Sequence, residues 1–247
     1  MKNLIAFVYL FWALIIPLQA QTLIVNTVSK LPFLSLEKDN AKANLIGFVG
    51  GKGLRNDEGR TKNFLGSQKE KFFKAHFNYY LFPNPNSGKK AGYRYRASEK
   101  NVDRIKSLVE FLKNRNSLPT YLLGFSRGSI DVSSYAMRYP ETIKGVVVIS
   151  GVYSNSSRKG SDYSIDLIVG DEIPTPLLIV HHKGDDCMVS DPEEAASFFE
   201  TVKAPKKKIV MISGGGQTGR ECGPFHHHGY EGVEEKAVTA IITWLRE

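Results

Sequence analysis

Several familiar signatures are missing from this chain, and each absence removes a class of explanation. Among 247 residues there are only 2 cysteines, so at most one disulfide can close. No H-E-x-x-H or similar ligand spacing occurs, which argues against a zinc-protease type of site. No internal repeat or low-complexity linker divides the chain, and 42% apolar composition is ordinary for a globular protein. Long apolar runs are also scarce. The one that stands out, Leu4 to Ile16, is shorter than the roughly 20 residues that a spanning helix needs.

That run has a different reading. Lys2 is the only charge in residues 1–20, and Pro17-Leu18-Gln19-Ala20 brings a small residue to a cleavage position. The pattern predicts a secretory signal peptide with processing near Ala20, hence a secreted or periplasmic protein with no stable membrane insertion after cleavage. An uncleaved anchor is the alternative. No cysteine lies near the cleavage point, which argues against a lipid anchor there. Loss of Lys2 would take the formal charge from +8 to +7, but the lysines and arginines are spread along the chain, so basicity does not imply a nucleic-acid partner. Export also bears on Cys187 and Cys222. In an oxidising compartment the even pair is expected to close, with two buried thiols as the alternative.

From Gln21 onward, apolar runs alternate with helical patterns. The strand candidates are Asn44 to Val49, Phe77 to Phe82, Thr120 to Leu123, Gly145 to Ser150, Pro176 to His181 and Lys208 to Ile212. Several are too apolar to have a wet face, as expected of interior strands in a parallel sheet. Leu23 to Val28 and Phe33 to Glu37 fit an antiparallel start. Val102, Ile105, Val109 and Leu112 recur at helical spacing, as do Val233, Ala237, Ile241 and Trp244. The alternation predicts one doubly wound α/β domain over residues 21–247, a mostly parallel sheet with helices on both faces. The polar stretch 152–174 is expected to form a short lid-like loop.

Chemistry enters after the strand TYLL, where GFSRGS contains G-x-S-x-G from Gly124, Ser126 and Gly128, followed by a helical pattern through Ile130 and Met137. Strand, sharp turn and helix is the context in which a serine is presented on a strained elbow. The bland alternative is a glycine-rich turn carrying a surface serine. A hydroxyl needs a base to take its proton, and the base needs a carboxylate to hold its tautomer. Downstream, PLLIV leads into HHKGDDCMVSDPEEA and KIVMI leads through a glycine-rich loop into CGPFHHHGYEG. Serine, acid and histidine thus follow one another, each just past a strand. Asp191, ahead of Pro192, reads better as a helix cap.

With these motifs the chain resembles the α/β-hydrolase family across nearly its whole mature length. It is most similar to exported bacterial members with a D-x-C or D-C acid loop and a C…HG[FY] histidine loop. The resemblance implies that Ser126 is the nucleophile and that His228, directly before Gly229, is the base. The H-x-x-x-D-x-x-V pattern aligns His182, Asp186 and Val189, so Asp186 is preferred as the acid, with Asp185 available by a shift of register. His226 and His227 have no counterpart role. The oxyanion hole would take the main-chain N–H of Arg127 and one from NLIGFVGGKGL, where aligning Gly51 with the family's loop glycine makes Lys52 the donor. The GGKG stretch has neither phosphate-loop spacing, so a nucleotide is not expected there. A Cys187–Cys222 bond would staple the acid and histidine loops.

The expected activity is hydrolysis of a small-molecule ester, thioester or amide through an acyl-enzyme, with no cofactor and no metal. Two alternatives stand beside it: a metal-dependent hydrolase built from His181, His182, Asp185 and the triple histidine, and a binding protein that keeps the fold with an idle triad.

Overall fold

The segment GVVVI, Gly145–Ile149, is buried at all five positions, and that depth follows from its place in the sheet. In the computed structural model, described at residues 21–24, 32–56, 58–86, 88–153 and 162–247, eight strands form one sheet. They are β1 (Gln21–Ile24), β2 (Pro32–Leu36), β3 (Asn44–Phe48), β4 (Asn78–Leu81), β5 (Thr120–Phe125), β6 (Gly145–Ile149), β7 (Leu177–His182) and β8 (Lys207–Ile212). Their order is β1-β2-β4-β3-β5-β6-β7-β8. β1 pairs antiparallel with β2 and β2 with β4, while β3 to β8 run parallel. The expected signal peptide lies outside the described residues, as do residues 154–161 of the expected lid.

Side chains alternate between two cores, as the period of a strand requires. On one face Ile46, Tyr80, Leu122, Val146, Val148 and Ile179 meet helices α4 (Glu99–Asn116), α5 (Gly128–Arg138) and α7 (Pro192–Thr201). On the other, Leu45, Tyr79, Leu123, Val147 and Leu178 meet α1 (Phe64–Ser67), α2 (Lys69–Lys74) and α8 (Glu234–Leu245). Helix α4 starts where the Ser98 side chain accepts the Asn101 N–H, and its stripe Val102, Ile105, Leu108, Val109, Leu112 is buried. Asp191 caps α7 by accepting the Glu193 N–H at 2.8 Å, the capping role read from the sequence.

Three departures from the sequence reading have physical causes. β8 is an edge strand with Lys207 and Lys208 exposed, which blunts an otherwise open pairing edge. Helices α1, α2, α3 (Tyr93–Arg96) and α6 (Ile165–Val169) are four to six residues long, too short to display a helical period. Helix α6 and the bridge between Glu172 and Lys203 also give order to the second half of the stretch expected to be a loop.

Chain order reverses between β3 and β5: the chain goes from β3 out to β4 and then returns to β5 on the other side. In open α/β sheets the crevice beyond the carboxyl ends at such a reversal is where ligands are received. Leu112→Ala, at a wholly buried α4 position, is expected to cost about 2–5 kcal/mol of unfolding free energy in a urea titration.

Candidate functional site

Both segments at the reversal turn sharply. Ser126 follows β5 with φ of 52°, in the left-handed region, and is buried. Such a conformation is costly for a side chain other than glycine and marks a place where the surroundings impose it. The turn is so tight that a Cβ on Gly128 would stand 1.9 Å from the Phe48 carbonyl oxygen, and one on Gly124 would stand 2.6 Å from the Gly128 carbonyl oxygen. The two motif glycines are therefore required by contact between main chains. The Ser126 carbonyl accepts from the Ser129 N–H at 2.9 Å and from the Ser129 hydroxyl at 2.6 Å.

Beyond β3, Gly53 N–H donates to the Gly50 carbonyl at 3.0 Å, closing a turn with Gly51 and Lys52 at its tip. Gly50, not Gly51, is the residue that meets the elbow: a Cβ there would lie 2.7 Å from the Ser126 Cβ. Gly51 has open space around it and is favoured by its φ of 57° instead. The side chain of Lys52 is exposed.

The structure brings Asp185, not Asp186, to His228. After β7 the Asp185 N–H donates to the His182 carbonyl at 3.1 Å, and this turn folds Asp185 back toward the sheet. His228 Nδ1 donates to Asp185 Oδ2 at 2.8 Å. Asp186, the preferred acid in the sequence reading, is 55% exposed and meets His226 instead, with its Oδ1 3.1 Å from His226 Nδ1. The register shift that looked less natural in the sequence is thus the one that meets His228.

Asp185 is held as an anion. Burial alone would raise its pKa, but hydrogen bonds from His181 and His228 outweigh that and keep it well below the usual carboxylate range. Ser190 Oγ also donates to Oδ2 at 3.0 Å, and the Cys187 N–H donates to Oδ1 at 3.1 Å. With its Nδ1–H hydrogen-bonded to the Asp185 carboxylate, the imidazole of His228 carries a free lone pair on Nε2. That atom is buried and has no hydrogen-bond partner among the described residues. Its ring packs on Phe125, the residue before Ser126, at 5.1 Å between centroids.

Three residues that sequence reasoning missed brace this arrangement. The Ser150 hydroxyl lies 3.0 Å from both the His228 carbonyl and the Tyr230 hydroxyl. Tyr230 gives its own proton to the Val180 carbonyl at 2.8 Å, so β7 supports the histidine loop directly. Ser190 is the third. Tyr230 occupies the aromatic position of the histidine-loop motif, the one available signal.

The three histidines separate completely. His182 Nδ1 accepts from the Gly184 N–H at 3.0 Å and its Nε2 donates to the Gly214 carbonyl at 2.7 Å; burial lowers its pKa, in keeping with this neutral form. His227 stacks on His182 at 4.4 Å and reaches the Gly184 carbonyl through Nδ1 at 2.8 Å. Each member of the run thus has its own partner on the acid loop. Asp185, Cys187 and His228 offer ligand atoms within 4.8 Å of one another, but the Cys187 sulfur is bonded to Cys222 and His228 Nδ1 is engaged by Asp185. The donor set does not fit a metal ion.

Cys187 and Cys222 form the expected disulfide, with Cα atoms 4.6 Å apart. Closing a loop of 35 residues restricts the unfolded chain and ties the acid loop to the histidine loop.

No family model and no curated protein matches the sequence. Solved structures do. The esterase Pf2001 of Pyrococcus furiosus superposes with a TM-score of 0.65 at 15% identity, covering 93% of this chain and 92% of the other. A dienelactone hydrolase from Anabaena variabilis gives 0.63 at 14%, covering 92% and 97%. An alpha-beta serine hydrolase homologue from Coxiella burnetii gives 0.60 at 14%, covering 87% and 91%. At such identities the likeness is one of fold.

Two outcomes are expected of this site. Replacing both cysteines by alanine should lower stability by about 2–4 kcal/mol in chemical denaturation. Because the Asp185 pKa is depressed in the folded state, its carboxylate stabilises the fold above the ordinary value of about 3.9 and loses that effect as pH falls through the folded value. Asp185→Asn should therefore destabilise the protein more at pH 7 than at pH 3 in urea titrations.

Proposed function

We propose that this chain, which has the α/β-hydrolase fold, is a serine hydrolase acting on a small ester, thioester or amide through an acyl-enzyme. The observation that carries the reading is the buried, unpartnered Nε2 of His228, whose tautomer is set by Asp185 and whose ring packs against the elbow. A lone pair left unsatisfied in the interior is unfavourable unless it has a proton to receive.

In this reading His228 Nε2 takes the Ser126 hydroxyl proton as the oxygen attacks the substrate carbonyl. Asp185 stabilises the resulting imidazolium without taking the proton itself. His228 then hands the proton to the leaving group. In the second half it removes a proton from water, which attacks the acyl carbon and frees Ser126. Asp185 takes over the role first expected of Asp186.

The developing oxyanion needs two fixed donors. One is the Arg127 N–H, at the start of α5. The second is reassigned from Lys52 to Gly51, because Gly50 is the glycine that abuts Ser126 and the next N–H along the chain is that of Gly51. Arg96 supports this pair from beneath. Its buried guanidinium donates to the Val49 carbonyl at 3.0 Å and to the Ala91 carbonyl at 3.2 Å, and it is ion-paired with Asp131 of α5. Asn101 donates to the other Asp131 oxygen at 2.7 Å. The loop carrying Gly51 and the helix carrying Arg127 are thereby joined through one rigid side chain.

Export is part of the proposal, supported by the disulfide and by the sequence of residues 1–20. Among the described residues no helix is long and apolar enough to cross a membrane.

A fluorophosphonate probe should label the wild-type protein and not Ser126→Ala; equal labelling of both would refute the triad, and no labelling of either would favour a binding protein. His228→Ala should abolish turnover of a nitrophenyl ester. Asp185→Asn should lower kcat by about 10⁴-fold, the scale set by loss of the triad carboxylate elsewhere, whereas Asp186→Asn should retain most activity.

A further inference from the structure

The oxyanion loop is stitched to a second loop that brings lysines with it. Asn84, 5% exposed, donates from one side-chain nitrogen to the Lys52 carbonyl at 2.8 Å and to the Lys89 carbonyl at 2.6 Å. The Ala91 N–H donates to the same Lys52 carbonyl at 3.1 Å, and the Gly88 N–H donates to the Arg55 carbonyl at 2.9 Å. Two lysine backbones are therefore held around a single buried amide. The seat is shaped for this contact: Gly53 has φ of 77°, and a Cβ there would fall 2.1 Å from Asn84 Oδ1.

The side chains of Lys52, Lys89, Lys90 and Arg94 are exposed. Arg127, next to Ser126, has its guanidinium over the ring of Tyr93 at 4.5 Å, on the segment that also carries Lys89, Lys90 and Arg94. Residues 84–98 contain no aspartate or glutamate. Among the described residues none of these five cations takes part in an ion pair. Like charges carried on neighbouring loops repel, and the cost is offset when an anion enters. Lys52 sits on the loop whose Gly50 abuts Ser126, so a molecule reacting at the serine passes beside it.

From this geometry we infer that Lys52, Lys89 and Arg127, with Lys90 and Arg94 at the rim, form an anion subsite beside the nucleophile. The substrate is an ester whose non-reacting part carries a carboxylate or another anionic group. This rests on the serine-hydrolase reading and adds the substrate class to it. The cations bind and orient. No bond is made or broken at them, and the acyl transfer proceeds as already described.

Matched substrates test it. Mono(4-nitrophenyl) glutarate would be compared with 4-nitrophenyl butyrate for an anion on the acyl side, and 4-carboxyphenyl butyrate with phenyl butyrate for an anion on the alcohol side. In at least one pair the anionic ester should have a kcat/KM about tenfold above its neutral partner at low ionic strength, and the preference should shrink as salt shortens the Debye length from about 10 Å at 0.1 M to about 3 Å at 1 M. In Lys52→Gln/Lys89→Gln that ratio should fall toward one, read within the variant so that any general change in activity cancels. Equal or better use of both neutral esters would overturn the inference, as would a preference that the double variant keeps. Retention on anionic-lipid vesicles without a preference for anionic esters would overturn it in favour of a surface-binding role. Ser126-dependent fluorophosphonate labelling, measured on the same preparation, shows whether a failure concerns the subsite or the hydrolase reading itself.

Discussion

A carboxylate placed in the interior as an anion is the constraint around which this structure is arranged. Asp185 can stay ionised there only if its oxygens are used, since an unpaired buried charge is far more costly than an unpaired neutral group. One oxygen takes bonds from His228 and Ser190, with His181 Nε2 3.5 Å away, and the other takes the Cys187 N–H. Satisfying it therefore requires that the end of β7, the loop behind it and the histidine loop meet at one point. Most of the unusual features nearby serve that meeting.

The histidine loop could not reach this position by its own propensity. It is preceded by a glycine-rich stretch in which Gly214 and Gly215 both have φ of 88°, a region whose ordering is entropically expensive. Attachments along its length compensate: the disulfide from Cys222, the His182–His227 stack, and the Ser150 and Tyr230 contacts. The run HHHG is best understood as a row of three side chains that meet the acid loop at successive points, with the buried Nε2 of His228 left without a hydrogen-bond partner among the described residues. On the opposite side of Ser126 the fixing is of another kind. There the Val49–Gly53 backbone is held by Arg96 and Asn84, two buried side chains that donate to carbonyls and leave the N–H groups at the tip unengaged by the main chain of the described loops.

Much of this was readable in the residues. The strands from Asn44 onward were visible because buried parallel strands are apolar on both faces, and α4 and α8 because they are long enough to show a stripe. The elbow was readable because two glycines flanking a serine are demanded by main-chain contact, a requirement that leaves a local mark. Which aspartate meets His228 was not. DD offers two chemically identical neighbours, and the choice between them rests on a single turn closed by the Asp185 N–H, which composition does not encode. Gly50 and Gly51 posed the same difficulty. Ser150, Ser190 and Arg96 carried no local signal at all, because a serine or arginine acting across the fold looks like any other until its partner arrives.

The sequence by itself determined the doubly wound sheet, the strand-to-helix elbow at Ser126, and the candidacy of Cys187, Cys222 and His228, because each rests on local periodicity or on a short motif. Only the tertiary structure decided that Asp185 rather than Asp186 faces His228, that Gly50 rather than Gly51 meets the elbow, and that lysines from two loops share one buried asparagine. Those decisions depend on directions of side chains brought together from distant parts of the chain, and direction is fixed by packing rather than by residue type.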